Sequence, residues 1–439
     1  MGRTRDRATT GRAAPATSGK MVGPMTAALA PSRARAARLA VSVLFFANGA
    51  IAASILPRLP AIKEALGLSN AELGAAVAAM PAGGLIAGGL VGLLIARFGS
   101  GRVAAVAGTL CGLFLAVVGL APSWIALAAA YFVLGVFDAT MDASMNTHAL
   151  ELQGVYGRSI LQGFHGTWSA GGMAAGAAGA VAAGVGLPVA IHLAVVAVVL
   201  AGVVAVSSRS MLPRGWAAGA PGTAPPRPMD AEPEPERIHP RNAGRLLRIL
   251  VPIAMLGILT VVVQSAAATW SAVYVTDVLG QSAGVAATAF VLYTASMMVG
   301  RLTNDRWVDR FGPVAVVRMG AVIAAAGLVA VMASGPLGLA PLAFAGFAAI
   351  GLGSSPMFPV MVLAAGSRPG IPAGYGVALV SWMVRIGLIV APALVGVAAD
   401  AAGLGAAFGI PLLTAVAIGI LAPAMTGTRL RMARAGTEP

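Results

Sequence analysis

Stretches of about 20 predominantly apolar residues recur twelve times along the chain, at roughly 39–59, 72–95, 103–121, 124–146, 162–184, 187–208, 248–271, 284–304, 314–334, 339–363, 374–398 and 405–427. A run of that length crosses the hydrocarbon of a bilayer as one helix, because backbone N–H and C=O groups must find partners within the segment there. Charged residues gather in the breaks between runs. The pattern predicts an all-α integral membrane protein with twelve transmembrane helices.

The breaks carry a signature used twice. Leu66-Gly67-Leu68-Ser69 is answered 213 residues later by Leu279-Gly280-Gln281-Ser282, and Arg97-Phe98-Gly99 by Arg310-Phe311-Gly312 at the same offset. Six runs separate the copies, so both have the same orientation: two parallel six-helix pseudo-repeats, with a solute site expected near the membrane midplane between them. The expected organisation is a disordered basic cytoplasmic tail at 1–38, an N-terminal bundle at 39–208, a cytoplasmic linker at 209–247, a C-terminal bundle at 248–427 and a cytoplasmic tail at 428–439. The linker holds eight prolines and an acidic cluster, Asp230, Glu232, Glu234 and Glu236, followed by Arg237, Arg241, Arg245 and Arg248, a composition of flexible connections.

Composition agrees with a lipid-embedded chain. Hydrophobic residues make up 58% and charged residues 10%, too apolar for a water-soluble domain of this length. The net charge of +14 lies in connecting segments and forms no basic, aromatic-interleaved face, which argues against nucleic acid as a partner. Of the 29 Lys and Arg, only Arg58 and Lys63 fall at or beside an odd-numbered break and only Arg385 deep inside a run, the others lying in the termini, in even-numbered breaks or within a few residues of those breaks. The rest mark their side as cytoplasmic, so both termini are expected in the cytoplasm and the chain in the inner membrane. Cys111 is the single cysteine, which leaves neither a disulfide nor a cysteine-based metal site.

The break after the eighth run reads Gly300-Arg301-Leu302-Thr303-Asn304-Asp305-Arg306-Trp307-Val308-Asp309-Arg310-Phe311-Gly312. It resembles the cytoplasmic loop signature of the major facilitator superfamily, whose carboxylates and arginines latch helix ends together in the outward-facing state. The resemblance extends through the twelve-run plan to nearly the whole chain, and it assigns a gating role to Asp305, Arg306, Asp309, Arg310 and Arg97. In the first copy Gly92 stands where Asp305 does, so the latch is expected to be one-sided. Leu59–Ser69, Phe164-His165-Gly166-Thr167-Trp168-Ser169 and Gly353-Ser354-Ser355-Pro356-Met357-Phe358-Pro359 are similar to small bacterial inner-membrane permeases near the fucose-type proton symporters.

Ionisable groups inside a run cost roughly 2.5–3.5 kcal/mol on insertion scales, and so normally face an interior cavity and serve a purpose. Asp138 and Asp142 lie four residues apart on one face of the fourth helix. They are the proton-coupling candidates together with His165, whose imidazole titrates near physiological pH. Arg385, beside Trp382 in the eleventh run, offers a fork of donors that suits a carboxylate or phosphate, or a counter-ion to Asp138. Family resemblance makes the first, fourth, seventh and tenth helices line the cavity. That favours Asn48 and Gln264 among the midspan or outer-half substrate-contact candidates, which also include Trp270 of the seventh run and Tyr293 of the eighth, with polar bonding between helices as the competing account. Pro356 and Pro359 remove backbone donors and are expected to hinge the tenth helix around Gly351–Gly353. Gly84, Gly88 and Gly92, and Gly172, Gly176 and Gly184 with Ala180, form small-residue stripes for close helix packing. His148 and Glu151 are expected in a solvated loop after Asn146, and His192 near the outer interface.

The sequence holds no phosphate-cradling Gly-x-x-x-x-Gly-Lys-Ser/Thr loop and no His-Glu-x-x-His. The expectation is a secondary active transporter, not an enzyme, without cofactor or metal. It would move a small organic solute by alternating access, with proton coupling, as a monomer in the lipid bilayer. The alternative is a drug or metabolite efflux pump of the same fold, and the remote one a non-transporting sensor or enzyme.

Overall fold

The computed structural model describes residues 31–156, 160–213, 243–366 and 373–425. The expectations for residues 1–30, for the linker between 214 and 242 and for the tail from 426 lie outside them. The helices are α1 (Pro31–Ile55), continued by a 3-10 turn (Leu56–Arg58) into α2 (Leu59–Leu66), then α3 (Asn70–Phe98), α4 (Ser100–Gly119), α5 (Trp124–Tyr156), α6 (Leu161–Gly184), α7 (Val189–Ser207), α8 (Ala243–Asp277), α9 (Ala283–Phe311), α10 (Pro313–Leu337), α11 (Ala340–Ser354), α12 (Met357–Gly366), α13 (Ala373–Ala402), α14 (Leu404–Ala407) and α15 (Gly409–Leu421). There is no strand among the described residues.

The twelve apolar runs correspond to twelve helical spans, two of them broken. Eleven are long and apolar enough to cross a membrane. The remaining one, α6, has 24 residues, enough to span, but glycine, serine, threonine and histidine dilute its hydropathy. It is buried against α1 on one side and α9 on another, so lipid does not have to accept its polar face.

The repeated signature is built alike at both places. Gly67 ends α2 at φ 62° and Gly280 follows α8 at φ 63°, a left-handed conformation in which a side chain would be strained. Gly99 and Gly312 turn the chain at φ 86° and 80° into α4 and α10. α3 and α9 are each 29 residues long and start and end at positions 213 apart. One difference is local. Ser69 and Glu72 form a reciprocal capping box at the start of α3, whereas Ser282 makes no side-chain cap and Val285, standing where Glu72 does, has no carboxylate to complete a box.

Three boundaries differ from the expectation. α1 starts at Pro31, eight residues before the apolar run, because nothing in 31–38 after Pro31 stops a helix. α5 continues to Tyr156, so His148 and Glu151 are helical, and His148 is buried, with Ser100 Oγ at 2.9 Å from its Nδ1 and the Leu212 N–H donating to its Nε2 at 3.2 Å. The break in the tenth span falls at Ser355–Pro356. Gly353 itself lies inside α11, where it meets α10 so closely that a Cβ would stand 2.4 Å from Gly320 O.

Packing divides the spans into two groups. α1 packs on α6, α3 on α5 and α4 on α7. In the second group α8 packs on α13, α9 on α11 and α10 on α11 and α15. Two seams join the groups, α3 against α13 and α6 against α9.

Candidate functional site

Both seams are tight at the end that holds Gly67 and Gly280. A Cβ on Gly74 would stand 2.3 Å from Pro392 O, one on Gly396 2.3 Å from Asn70 O, and one on Gly284 2.5 Å from the Gly184 Cα. Such backbone approach is the main attraction between helices in lipid. Polar contacts reinforce it. Lys63 pairs with Asp277 across the groups. Asp400, near the end of α13, accepts from the backbone N–H groups of Asn70 and Ala71 at 2.9 and 2.8 Å and from Asn70 Nδ2 at 2.9 Å.

Toward the other end, which holds Arg97 and Arg310, the seams part. A Cβ on Gly88, Gly92, Gly163 or Gly166 would meet nothing within 4 Å, and Asp142, His165 and Trp168 are exposed. The stripe expected on α3 is thus packed at Gly84 and unpacked at Gly88 and Gly92. Gly172, Gly176 and Gly184 do meet neighbours, respectively Gly49, Phe290 and Gly284.

Asp138 lies near the middle of α5, where the seams begin to open. Its Oδ1 accepts from Asn48 Nδ2 of α1 at 2.8 Å, and Asn48 Oδ1 accepts from Trp168 Nε1 of α6 at 2.9 Å. One turn further, Asp142 is exposed and accepts from Asn146 Nδ2 at 3.1 Å. Arg385 reaches across from α13 and donates from Nη1 to Gly84 O of α3 at 3.1 Å. Its charge bears on both Asp138 and Asp142, yet neither forms an ion pair with it among the described residues. Acid and base therefore share one field from opposite groups without direct contact.

Trp382 is 56% exposed. Gln264 donates to Ser354 O at 3.0 Å, where the break before Pro356 frees backbone groups, so one of its two amide N–H groups is already used. The Tyr293 hydroxyl donates to Gln264 O at 3.1 Å and the side chain is buried. Trp270 is fully buried with no partner for its indole N–H among the described residues. His165 is exposed and meets Phe45 edge-on at 5.3 Å. Thus Asp138, Asn48, Asp142, Arg385 and His165 gather about the parted seams, while Gln264, Tyr293 and Trp270 are bound into the second group.

Asp305, Arg306, Asp309 and Arg310 stand on the last two turns of α9, not on a loop, and all are exposed. Among the described residues no ion pair links these four. Arg310 lies over Phe311 at 5.3 Å and Arg97 over Phe98 at 5.5 Å, the same cation–π contact at equivalent places. No group of three or more His, Cys, Asp or Glu that could hold a metal occurs among the described residues.

Three features emerge only from the fold. Trp168 stands within a motif visible in the sequence, but its role as donor to Asn48 needs the α1–α6 packing. Asp400 has the helix-end position of a capping acid, but caps a helix more than 300 residues away. Arg301, the second residue of the Gly300–Gly312 segment, makes no hydrogen bond or ion pair among the described residues. Its Nε is buried, and its charge bears on Tyr293 of its own helix and on His165 across the α6–α9 seam.

The sequence profile of the Major Facilitator Superfamily matches residues 41–370. The chain belongs to that superfamily. An uncharacterised MFS-type transporter of Yersinia pestis is 28% identical over 389 residues, covering 89% of this chain and 96% of the relative. Membrane protein MosC of Rhizobium meliloti is 28% identical over 383 residues, 87% of each. Among solved structures, the nucleoside transporter NupG superposes with a TM-score of 0.70 at 15% identity over 88% of this chain and 98% of that one. A variant of the Escherichia coli fucose:proton symporter FucP does so at 0.59 and 18% over 88% and 98%. These likenesses establish the superfamily fold. The chain is a multi-pass membrane transport protein and not an enzyme.

Proposed function

We propose that this superfamily member is a proton-coupled secondary transporter of a small organic solute, working by alternating access between its two six-helix groups. The open end is read as cytoplasmic, since the arginine-rich breaks lie there, and the conformation is then inward-facing, closed outside by the Asp400 and Lys63 contacts. The chain resides in the inner membrane with both termini in the cytoplasm and works as a monomer. Asp138 is the proton carrier, held by Asn48, and Arg385 with Trp382 meets the solute. Asp142 and His165 stand on the proton's path to the cytoplasm.

The observation that carries the reading is the placement of Asp138 on one group and Arg385 on the other, within one electrostatic field at the apex of the parted seams. A charge in a span has to be placed where water or a partner relieves its cost, and an opening between moving groups lets that relief alternate with state. The presence of proton symporters among the solved structures with this fold supports the choice of proton over other ions.

The test uses proteoliposomes supplied with a metabolite extract, and accumulated solutes are identified by mass spectrometry. A pH gradient drives accumulation in the wild type. Asp138→Asn loses that drive while retaining solute exchange at zero gradient. Equal gradient-driven accumulation in both proteins removes Asp138 from coupling. Efflux of drugs from the same vesicles, with no metabolite uptake, selects the export alternative.

A further inference from the structure

Asn48 stands between two groups of different character. An indole N–H can only donate, so Trp168 Nε1 at 2.9 Å fixes which end of the Asn48 amide is oxygen, a choice otherwise ambiguous for an amide side chain. The NH2 end is thereby committed to Asp138 Oδ1 at 2.8 Å. A donor held against a carboxylate favours its charged form. Released from the indole, the amide can turn and present its oxygen, an acceptor that suits the protonated acid instead.

Trp168 is placed to be released. It sits on α6, the helix that packs on α1 and forms one of the two seams, and its side chain is 38% exposed. The other groups facing Asp138 are Asp142 on its own helix, Arg385 from α13 and Cys111 from α4. None of them hydrogen-bonds to Asn48 among the described residues, so the Trp168–Asn48 chain reaches Asp138 by a route they do not share.

We propose that Trp168 is a positioning residue for Asp138: through Asn48 it reports the state of the α6–α9 seam, and any solute stacked on its ring, to the proton carrier. With the indole bonded, Asn48 offers a donor and Asp138 gives up its proton to the open side. With the indole drawn away, the amide turns and Asp138 takes a proton up. The inference rests on Asp138 being the proton carrier.

The test titrates the detergent-purified full chain with protons alone, following the infrared carboxyl absorption that disappears in Asp138→Asn. Trp168→Phe keeps a ring and removes the N–H. Its midpoint is expected to move alkaline by about one pH unit, a tenfold change in proton affinity. An unmoved or acid-shifted midpoint overturns the proposal.

If Trp168→Phe does not purify as a single species, the wild-type chain labelled with 5-fluorotryptophan decides. One of its six indole fluorine resonances follows the Asp138 titration and ceases to in Asp138→Asn. Six resonances that do not follow it overturn the proposal. A wild-type chain with no titrating Asp138 band removes the coupling reading and this inference together. A titrating band insensitive to Trp168 removes this inference alone.

Discussion

Asp400 of α13 caps the N-terminus of α3 across the seam, accepting from the Asn70 N–H at 2.9 Å while its second oxygen takes the next N–H, that of Ala71, at 2.8 Å. A carboxylate at a helix N-terminus satisfies orphan donors and meets the positive end of the macrodipole. In the proposed alternating-access cycle the helix and its cap belong to groups that separate when this end opens, so the cap would weight one conformation over the other.

Asp400→Ala removes that weight. A cap of this kind contributes about 1 kcal/mol, so the outward-open population is expected to rise about fivefold. Spin-label distances between the outer ends of α3 and α13 measure it. An unchanged distance distribution would falsify the capping role.

Gly284→Val acts oppositely to a lost contact, by adding bulk. The new Cβ lies 2.5 Å from the Gly184 Cα, backbone that cannot yield without moving α6 away from α9. The variant is expected to stay folded but to lose uptake by roughly tenfold or more as the outer seam is wedged apart. Alkylation of cysteines introduced along the outer seam should speed up in parallel. Wild-type uptake would show that the seam does not close as described.

Ser69→Ala and Ser282→Ala make a matched pair. Ser69 accepts from the Glu72 N–H and Glu72 returns the bond, so its loss is expected to cost about 1 kcal/mol. Ser282 has no side-chain cap and its loss should cost a few tenths. Thermal unfolding in detergent compares them, and equal Tm shifts would contradict the assignment.

Arg385→Lys tests whether charge alone suffices. The Nη1 bond to Gly84 O needs the reach and fork of a guanidinium, which an ammonium does not reproduce. Uptake is expected to fall about tenfold through KM, with a stability loss of ~1 kcal/mol, typical of a polar contact between helices in lipid. Full uptake by the lysine variant would leave Arg385 only a charge-balancing part.

The spans are legible in the sequence because apolar length is a local property, and the doubled turns because Gly67, Gly99, Gly280 and Gly312 occupy backbone conformations that other residues rarely adopt. Asp138 can be singled out because a carboxylate amid apolar residues stands out on cost alone. Its partner cannot: Asn48 lies 90 residues away, and only the packing of α1 against both α5 and α6 brings Asp138, Asn48 and Trp168 together. His148 escapes for a different reason. α5 continues past the apolar run, and beyond the hydrocarbon a helix can carry polar residues that pack on Ser100 and Leu212 as tightly as any core side chain. Asp305 and Arg310 suggest a loop, yet stand on a helix, because charge marks the end of an apolar run and not the end of a helix.

The weak hydropathy of α6 has a consequence for how the chain is made. A segment this rich in glycine and polar side chains has little drive of its own to leave the translocation channel for lipid. Integration of this segment then depends on company: α1, synthesised well before it and the surface on which it packs most closely, has to wait near the channel to receive it. The helix that bears Trp168 is thereby also the step at which biogenesis of the first group is most exposed to failure.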